Sequence, residues 1–179
     1  AVTNWKTSPD GLTWTFHLRR HLWSDGAPVT SADFVTAWRR LVDPKTAAPY
    51  AYNLWVVKNA QAISAGRLPP TTLGIHAPDD KTLIVTLEHP AVYLPELMDH
   101  QVAWPIPRHT YLKYGEAWSR VKHYVGNGPY VVKEWLPGDH VTLVRNPLFY
   151  DAAHVRIETV VYYQTNDANA ALREFRVGQ

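Results

Sequence analysis

From Leu12 to Arg19 apolar and polar residues alternate without a break. Leu12, Trp14, Phe16 and Leu18 fall on one side, and Thr13, Thr15, His17 and Arg19 on the other. A period of two is the pleat of a β-strand, and a row of large apolar groups on one face demands a cover. The chain therefore needs a sheet with one face packed. Some residues later the period changes: Phe34, Ala37, Trp38 and Leu41 recur at i, i+3, i+4 and i+7, the stripe of an amphipathic helix. Thr30 or Ser31 can cap this helix, with Asp33 placed to complete a capping box. Asp43-Pro44 ends it, because the residue before proline is pushed out of the helical region. Strand and helix in close succession imply a mixed α and β fold.

The same reading extends down the chain. Asp10-Gly11 and Ser24-Asp25-Gly26 are turns. A helix is predicted from about Leu54 to Ala65, closed by Gly66. Leu73–Ala77 and Thr82–Leu87 read as a hairpin across Pro78-Asp79-Asp80-Lys81, with Leu83, Val85 and Leu87 inward. A short helix over Tyr93–Met98 tolerates Pro95 in its first turn. Trp104–Pro107 is extended, and another helix runs from His109 to about Tyr114. Strands follow at Tyr130–Trp135, Val141–Arg145 and Ile157–Tyr163. A last helix, capped by Asn166 or Asp167, is expected to turn Ala171, Leu172 and Phe175 inward.

Composition narrows the function. Of 179 residues, 46% are hydrophobic and 19% charged, which suits a packed core rather than a disordered chain. No run approaches the roughly 18 apolar residues of a membrane span. The net charge is +2, and the densest basic spots are the pairs Arg19-Arg20 and Arg39-Arg40, so nucleic acid is not an expected partner. The absence of cysteine excludes disulfides, thiolate metal sites and a thiol nucleophile. Ala1–Trp5 has neither the charged nor the apolar region of a signal peptide, so the expectation is a cytoplasmic protein or a segment starting well inside a longer chain. Eight Trp and ten Tyr against four Phe supply large rings with polar tips, suited to pockets that accept apolar and polar groups together.

Catalytic signatures are missing: no G-x-S-x-G elbow, no Walker loop, no H-E-x-x-H. Asp79-Asp80 fits a turn better than a carboxylate pair. Gly126-Asn127-Gly128 lacks the further glycine and the context of a dinucleotide site. His17 and His21 have helical metal-ligand spacing but lie in or beside the best strand, where four residues span about 13 Å, too far to share one ion. No enzyme activity, cofactor or metal site is expected.

Several blocks are similar to the family 5 extracellular solute-binding proteins, which serve oligopeptide and dipeptide importers. Asp10–Arg19 resembles that family's "DGLTYTFHLR" strand, and Trp23–Trp38 its signature "WSDGxPVTAxDFVxSW". Arg40–Tyr50 resembles the "RLxDPxTASPY" segment of the oligopeptide branch, with Ala48 in place of Ser. Gly126–Tyr130 and Arg145–Tyr150 resemble "GTGPY" and "RNPxYW". The order is kept through nearly the whole chain.

The resemblance implies a periplasmic-binding-protein type II-like α/β (mixed α+β) fold, present here as a fragment. Residues 1–108 would form the family's small lobe and 109–179 part of the first ligand-binding lobe. It implies a periplasmic or otherwise extracytoplasmic component of an ABC importer, with a peptide ligand and membrane permease subunits as partners. Tyr50, matching the tyrosine of "ASPY", is the one candidate ligand-binding residue; a purely structural role is the alternative. The groups that hold peptide termini would lie outside this chain. Asn53, Trp55 and Trp104 lie near the same loops without a motif to support them. Other ligands on the same scaffold (dipeptides, murein peptides, nickel chelates, oligosaccharides) stay open, as does a free-standing carbohydrate-binding module suggested by the tryptophans. The fragment alone is expected to bind weakly or not at all, and its exposed flank to favour self-association.

Overall fold

A computed structural model describes residues 1–165 and 167–178. The chain divides into two compact units. The first holds Ala1–His21 and Pro28–Lys113; the second holds Leu22–Ala27 and the residues from Tyr114 onward.

The first unit opens with strands β1 (Val2–Thr7) and β2 (Thr13–Leu18). In β2 Trp14, Phe16 and Leu18 are buried while Thr13, Thr15 and His17 are half-buried, as the alternation requires. Helix α1 (Ser31–Val42) follows, with Thr30 as its N-cap. The buried Asp33 carboxylate accepts from the Thr30 N–H at 2.7 Å and from the Arg108 N–H at 2.9 Å, so one side chain ties two helix starts together. Ser31 N–H donates to the Asp80 carbonyl at 3.0 Å, and its hydroxyl donates to that of Asp79. Phe34, Ala37, Trp38 and Val42 make the buried stripe, while Leu41 is half-buried.

Beyond α1 the structure departs from the predicted long helix. Only α2 (Ala60–Ser64) is helical; Ala51–Leu54 is a 3₁₀ turn. Between them the backbone pairs with a strand: Val57 bridges Leu87, Lys58 N–H donates to the Thr86 carbonyl at 2.9 Å, and Glu88 N–H to that of Val56 at 2.9 Å. Asn59, in the left-handed conformation at φ 69°, turns the chain out of this pairing. Tertiary hydrogen bonding has overridden local helical preference.

The predicted hairpin is present as β3 (Ile75–Asp79) and β4 (Thr82–Thr86), with Leu83, Val85 and Leu87 buried. The sheet is antiparallel, in the order β1-β2-β4-β3, with Phe16 opposite Leu83 and Trp14 opposite Val85. Short helix α3 (Leu94–Leu97) carries proline in its first turn, and α4 spans Arg108–Tyr114 after the extended Trp104–Pro107. Trp38 is fully buried, and its Nε1–H donates to the Ala103 carbonyl at 3.1 Å, fixing the loop before α4 to α1.

The second unit contains β5 (Tyr130–Leu136), β6 (His140–Arg145) and β7 (Thr159–Tyr163) in that spatial order, all antiparallel. Its organising group is Asn146, fully buried. The side-chain amide donates to the Gly128 carbonyl at 2.9 Å, the side-chain oxygen accepts from Leu148 N–H at 3.0 Å, and the backbone N–H donates to Pro129 at 2.8 Å. Gly126 in turn exchanges bonds with Ser24: Ser24 N–H to the Gly126 carbonyl at 2.8 Å, and Gly126 N–H to the Ser24 hydroxyl at 3.2 Å. Three separated sequence blocks thus form one knot, which is why Leu22–Ala27 joins this unit.

Helix α5 (Ala168–Arg176) is capped by Asp167, whose carboxylate accepts from Asn169 N–H at 2.8 Å. The alternative cap, Asn166, lies outside the described residues. The inward placement expected for this helix is corrected. Leu172 is 46% exposed and Phe175 76%, with only Ala171 half-buried. The helical period identifies the apolar face, but nothing in the second unit covers it among the described residues.

Candidate functional site

Tyr50 stands at the end of a loop whose shape is set residue by residue. The Asp43 carboxylate accepts from Lys45 N–H at 3.0 Å and starts a 3₁₀ turn at Pro44. Ala47 then adopts the left-handed conformation at φ 49°, uncommon for a residue with a Cβ, and reverses the chain. Ala51 N–H donates to Ala48, and Asn53 N–H to Tyr50, so Tyr50 caps the next turn.

The result is an aromatic surface. Tyr50 is 46% exposed, with Tyr52 at 53% and Trp55 at 42%. The Tyr50 ring lies 6.2 Å from Tyr52 and 5.8 Å from His100, the latter edge-on at 65°. Trp55 Nε1–H donates to the Ser64 hydroxyl at 3.4 Å, while Asn53 lies within the 3₁₀ turn between Tyr50 and Trp55. Behind Tyr52 and Trp55 a groove of about 320 Å³ is bounded by Val42, Pro44 and Pro49. Partly exposed tyrosine rings offer area to apolar groups and, through their hydroxyls, hydrogen bonds to amides.

Trp104 is not part of this cluster in the same sense. It is 59% exposed and helps to line a larger groove of about 870 Å³ with Trp5, Phe34 and Met98. His100 was not among the candidates read from the sequence. It stands 50 positions from Tyr50, and no local pattern announces the contact.

The histidines read for metal spacing have other surroundings. His17 is in β2, opposite Asn4 and Thr82. His21 is buried, with Nδ1 2.9 Å from the Arg19 carbonyl; burial, reinforced by positive charge from Arg19, lowers its pKa. His140, in the second unit, lies 3.0 Å from Asp139 and 3.4 Å from Glu134, and the bond to Asp139 leads in raising its pKa. No cluster of three or more His, Asp or Glu suited to an ion occurs among the described residues, and no helix there is long and apolar enough to cross a membrane.

The sequence model described as "Bacterial extracellular solute-binding proteins, family 5 Middle" matches residues 1–179. The chain belongs to this family. Among its relatives, the periplasmic oligopeptide-binding protein OppA of Haemophilus influenzae is 39% identical over 181 residues, covering 99% of this chain and 34% of that protein. The probable deoxycholate-binding periplasmic protein YgiS of Escherichia coli K12 is 38% identical over 178 residues, covering 98% of this chain and 33% of that protein. The crystal structure of Haemophilus influenzae OppA in complex with the peptide RPPGFSPFR superposes with a TM-score of 0.95 at 40% identity, over 99% of this chain and 35% of that one. The chain thus spans about a third of the length of these family members. Its mixed α and β fold is that of the periplasmic peptide-binding proteins, and the match decides for the solute-binding scaffold over a free-standing carbohydrate module.

Proposed function

We propose that this chain is part of the capture component of an ABC importer, binding oligopeptides outside the cytoplasmic membrane and delivering them to permease subunits. The residues 1–108 and 109–179 then correspond to the family's small lobe and to part of its first ligand-binding lobe. The observation that carries the reading is the 0.95 TM-score to a peptide-bound OppA, together with the exposed Tyr50 on the loop that resembles the oligopeptide branch. A receptor for many peptide sequences gains little from side-chain fit. It satisfies the ligand's backbone groups with fixed partners and leaves roomy, hydrated side-chain pockets lined by rings. Tyr50 suits that role: the ring gives sequence-tolerant contact and the phenol a hydrogen bond. The protein acts by binding alone, without catalysis.

Here the chain supplies one wall of the site, so by itself it binds peptide weakly or not at all. By the same reading the isolated chain self-associates through apolar surface such as Leu172 and Phe175. A second ligand class, an amphipathic steroid acid, is favoured by the 38% identity to the deoxycholate-binding relative, close to that of the peptide-binding one.

Calorimetry on the longer polypeptide containing these residues separates the readings. Trialanine is expected to bind at micromolar affinity or tighter, with deoxycholate, maltotriose and a nickel–histidine chelate at least about 100-fold weaker, a difference of about 2.7 kcal/mol. Tight deoxycholate binding without peptide binding would replace the proposal by the second reading.

A further inference from the structure

Among the described residues no hydrogen bond fixes the Tyr50 hydroxyl, and its ring is oriented by contact with two other rings. The two neighbours differ in kind. Tyr52 is itself 53% exposed. His100 is anchored: its Nδ1 accepts from the Val102 N–H at 3.3 Å, its N–H donates to the Leu97 carbonyl at 3.2 Å, and its carbonyl accepts from Ala103 N–H at 3.0 Å. Val102 and Ala103 are buried, and the Ala103 carbonyl receives the indole N–H of Trp38. The turn before the extended Trp104–Pro107 segment is thereby clamped to the core, and it presents an imidazole to Tyr50.

We infer that His100 is a positioning residue for Tyr50: it holds the tyrosine ring in the orientation that meets the ligand, through an edge-on contact from a turn 50 residues further along the chain. The inference rests on the peptide-binding reading of Tyr50. Its physical content is preorganisation. A tyrosine on an exposed loop loses rotamer freedom when a ligand seats on it, and a ring already held by its neighbour loses less. His100 touches no ligand in this account; it lowers the cost of ordering Tyr50.

Two substitutions separate ring from turn. His100→Asn keeps a side-chain oxygen to accept from the N–H two residues on, as asparagine does in Asx turns, but removes the ring. His100→Phe keeps a ring and removes the acceptor. In the longer polypeptide, His100→Asn is expected to weaken trialanine and RPPGFSPFR by about three- to tenfold, the range of one aromatic pair. His100→Phe should stay within about twofold of the unmodified protein. In a Tyr50→Ala background His100→Asn should add less than about twofold, because its effect passes through the missing ring.

Equal loss in both backgrounds, or His100→Phe as damaging as His100→Asn, would overturn the inference, since His100 would then be acting only on its turn. Full affinity in Tyr50→Ala would remove Tyr50 from the site and the inference with it. Failure of the unmodified protein to bind either peptide would overturn the peptide reading beneath both.

Discussion

Replacement of Trp38 by alanine is expected to cost the first unit about 4–5 kcal/mol of stability. Trp38 is fully buried on α1, and truncating a buried indole typically costs about 3–5 kcal/mol through lost transfer energy and the residual cavity. The Ala103 carbonyl would also lose its donor, which adds about 1 kcal/mol or more when the acceptor stays buried. Because domains carry only about 5–15 kcal/mol of net stability, this one change removes much of the reserve. Trp38→Phe divides the two contributions: most of the ring volume stays and the hydrogen bond goes, so a loss of about 1–2 kcal/mol is expected. Urea unfolding followed by tryptophan fluorescence measures both. A loss below about 1 kcal/mol for Trp38→Ala would mean that α1 is not held to the loop at Ala103 as described.

Gly74→Ala should cost about 2–3 kcal/mol, although it adds a single methyl group. Gly74 lies between two backbone segments and bonds to each: its N–H donates to the Lys58 carbonyl at 2.9 Å, and its carbonyl accepts from Thr86 N–H at 2.8 Å. A Cβ built there would sit 2.6 Å from the Thr86 carbonyl oxygen and 2.7 Å from the Lys58 Cβ. Neither can withdraw cheaply, since Thr86 and Lys58 are also bonded to each other at 2.9 Å. Overpacking against fixed neighbours costs about 1–3 kcal/mol, and the contact with backbone puts this site toward the upper end. The check is the shift in urea midpoint at constant slope. A change under about 0.5 kcal/mol would show that the segment at Lys58 is free to move away.

The Gly74 site also shows where sequence reading stops. Period two in Leu12–Leu18 and the capped 3.6-residue stripe of α1 are local, and both appear in the fold as expected. Residues 54–65 have helical composition, yet Val57 pairs with Leu87, 30 positions away, and that competition has no local signature. Periodicity was correct in α5 about which face is apolar and silent about what covers it; Leu172 and Phe175 are exposed. Motifs behaved better than periods. The signature turn at Ser24, the glycine at 126 and the buried Asn146 are far apart in sequence, but each block was recognisable alone, and the structure supplies the reason for their pairing.

The candidate site divides in the same way. Tyr50 entered as a candidate through the resemblance of Arg40–Tyr50 to the oligopeptide branch, and the structure leaves its ring 46% exposed. His100 had no such motif, because its contact with Tyr50 spans 50 residues and its turn is held by a clamp reaching back to Trp38. A side chain that acts by holding another leaves no spacing rule behind.

The central claim is that the Tyr50 ring faces bound peptide. The crystal structure of the longer polypeptide with trialanine decides it. The account predicts peptide atoms within about 4 Å of the Tyr50 ring and that ring still edge-on to His100. A peptide bound elsewhere, with Tyr50 left open to solvent, would contradict it.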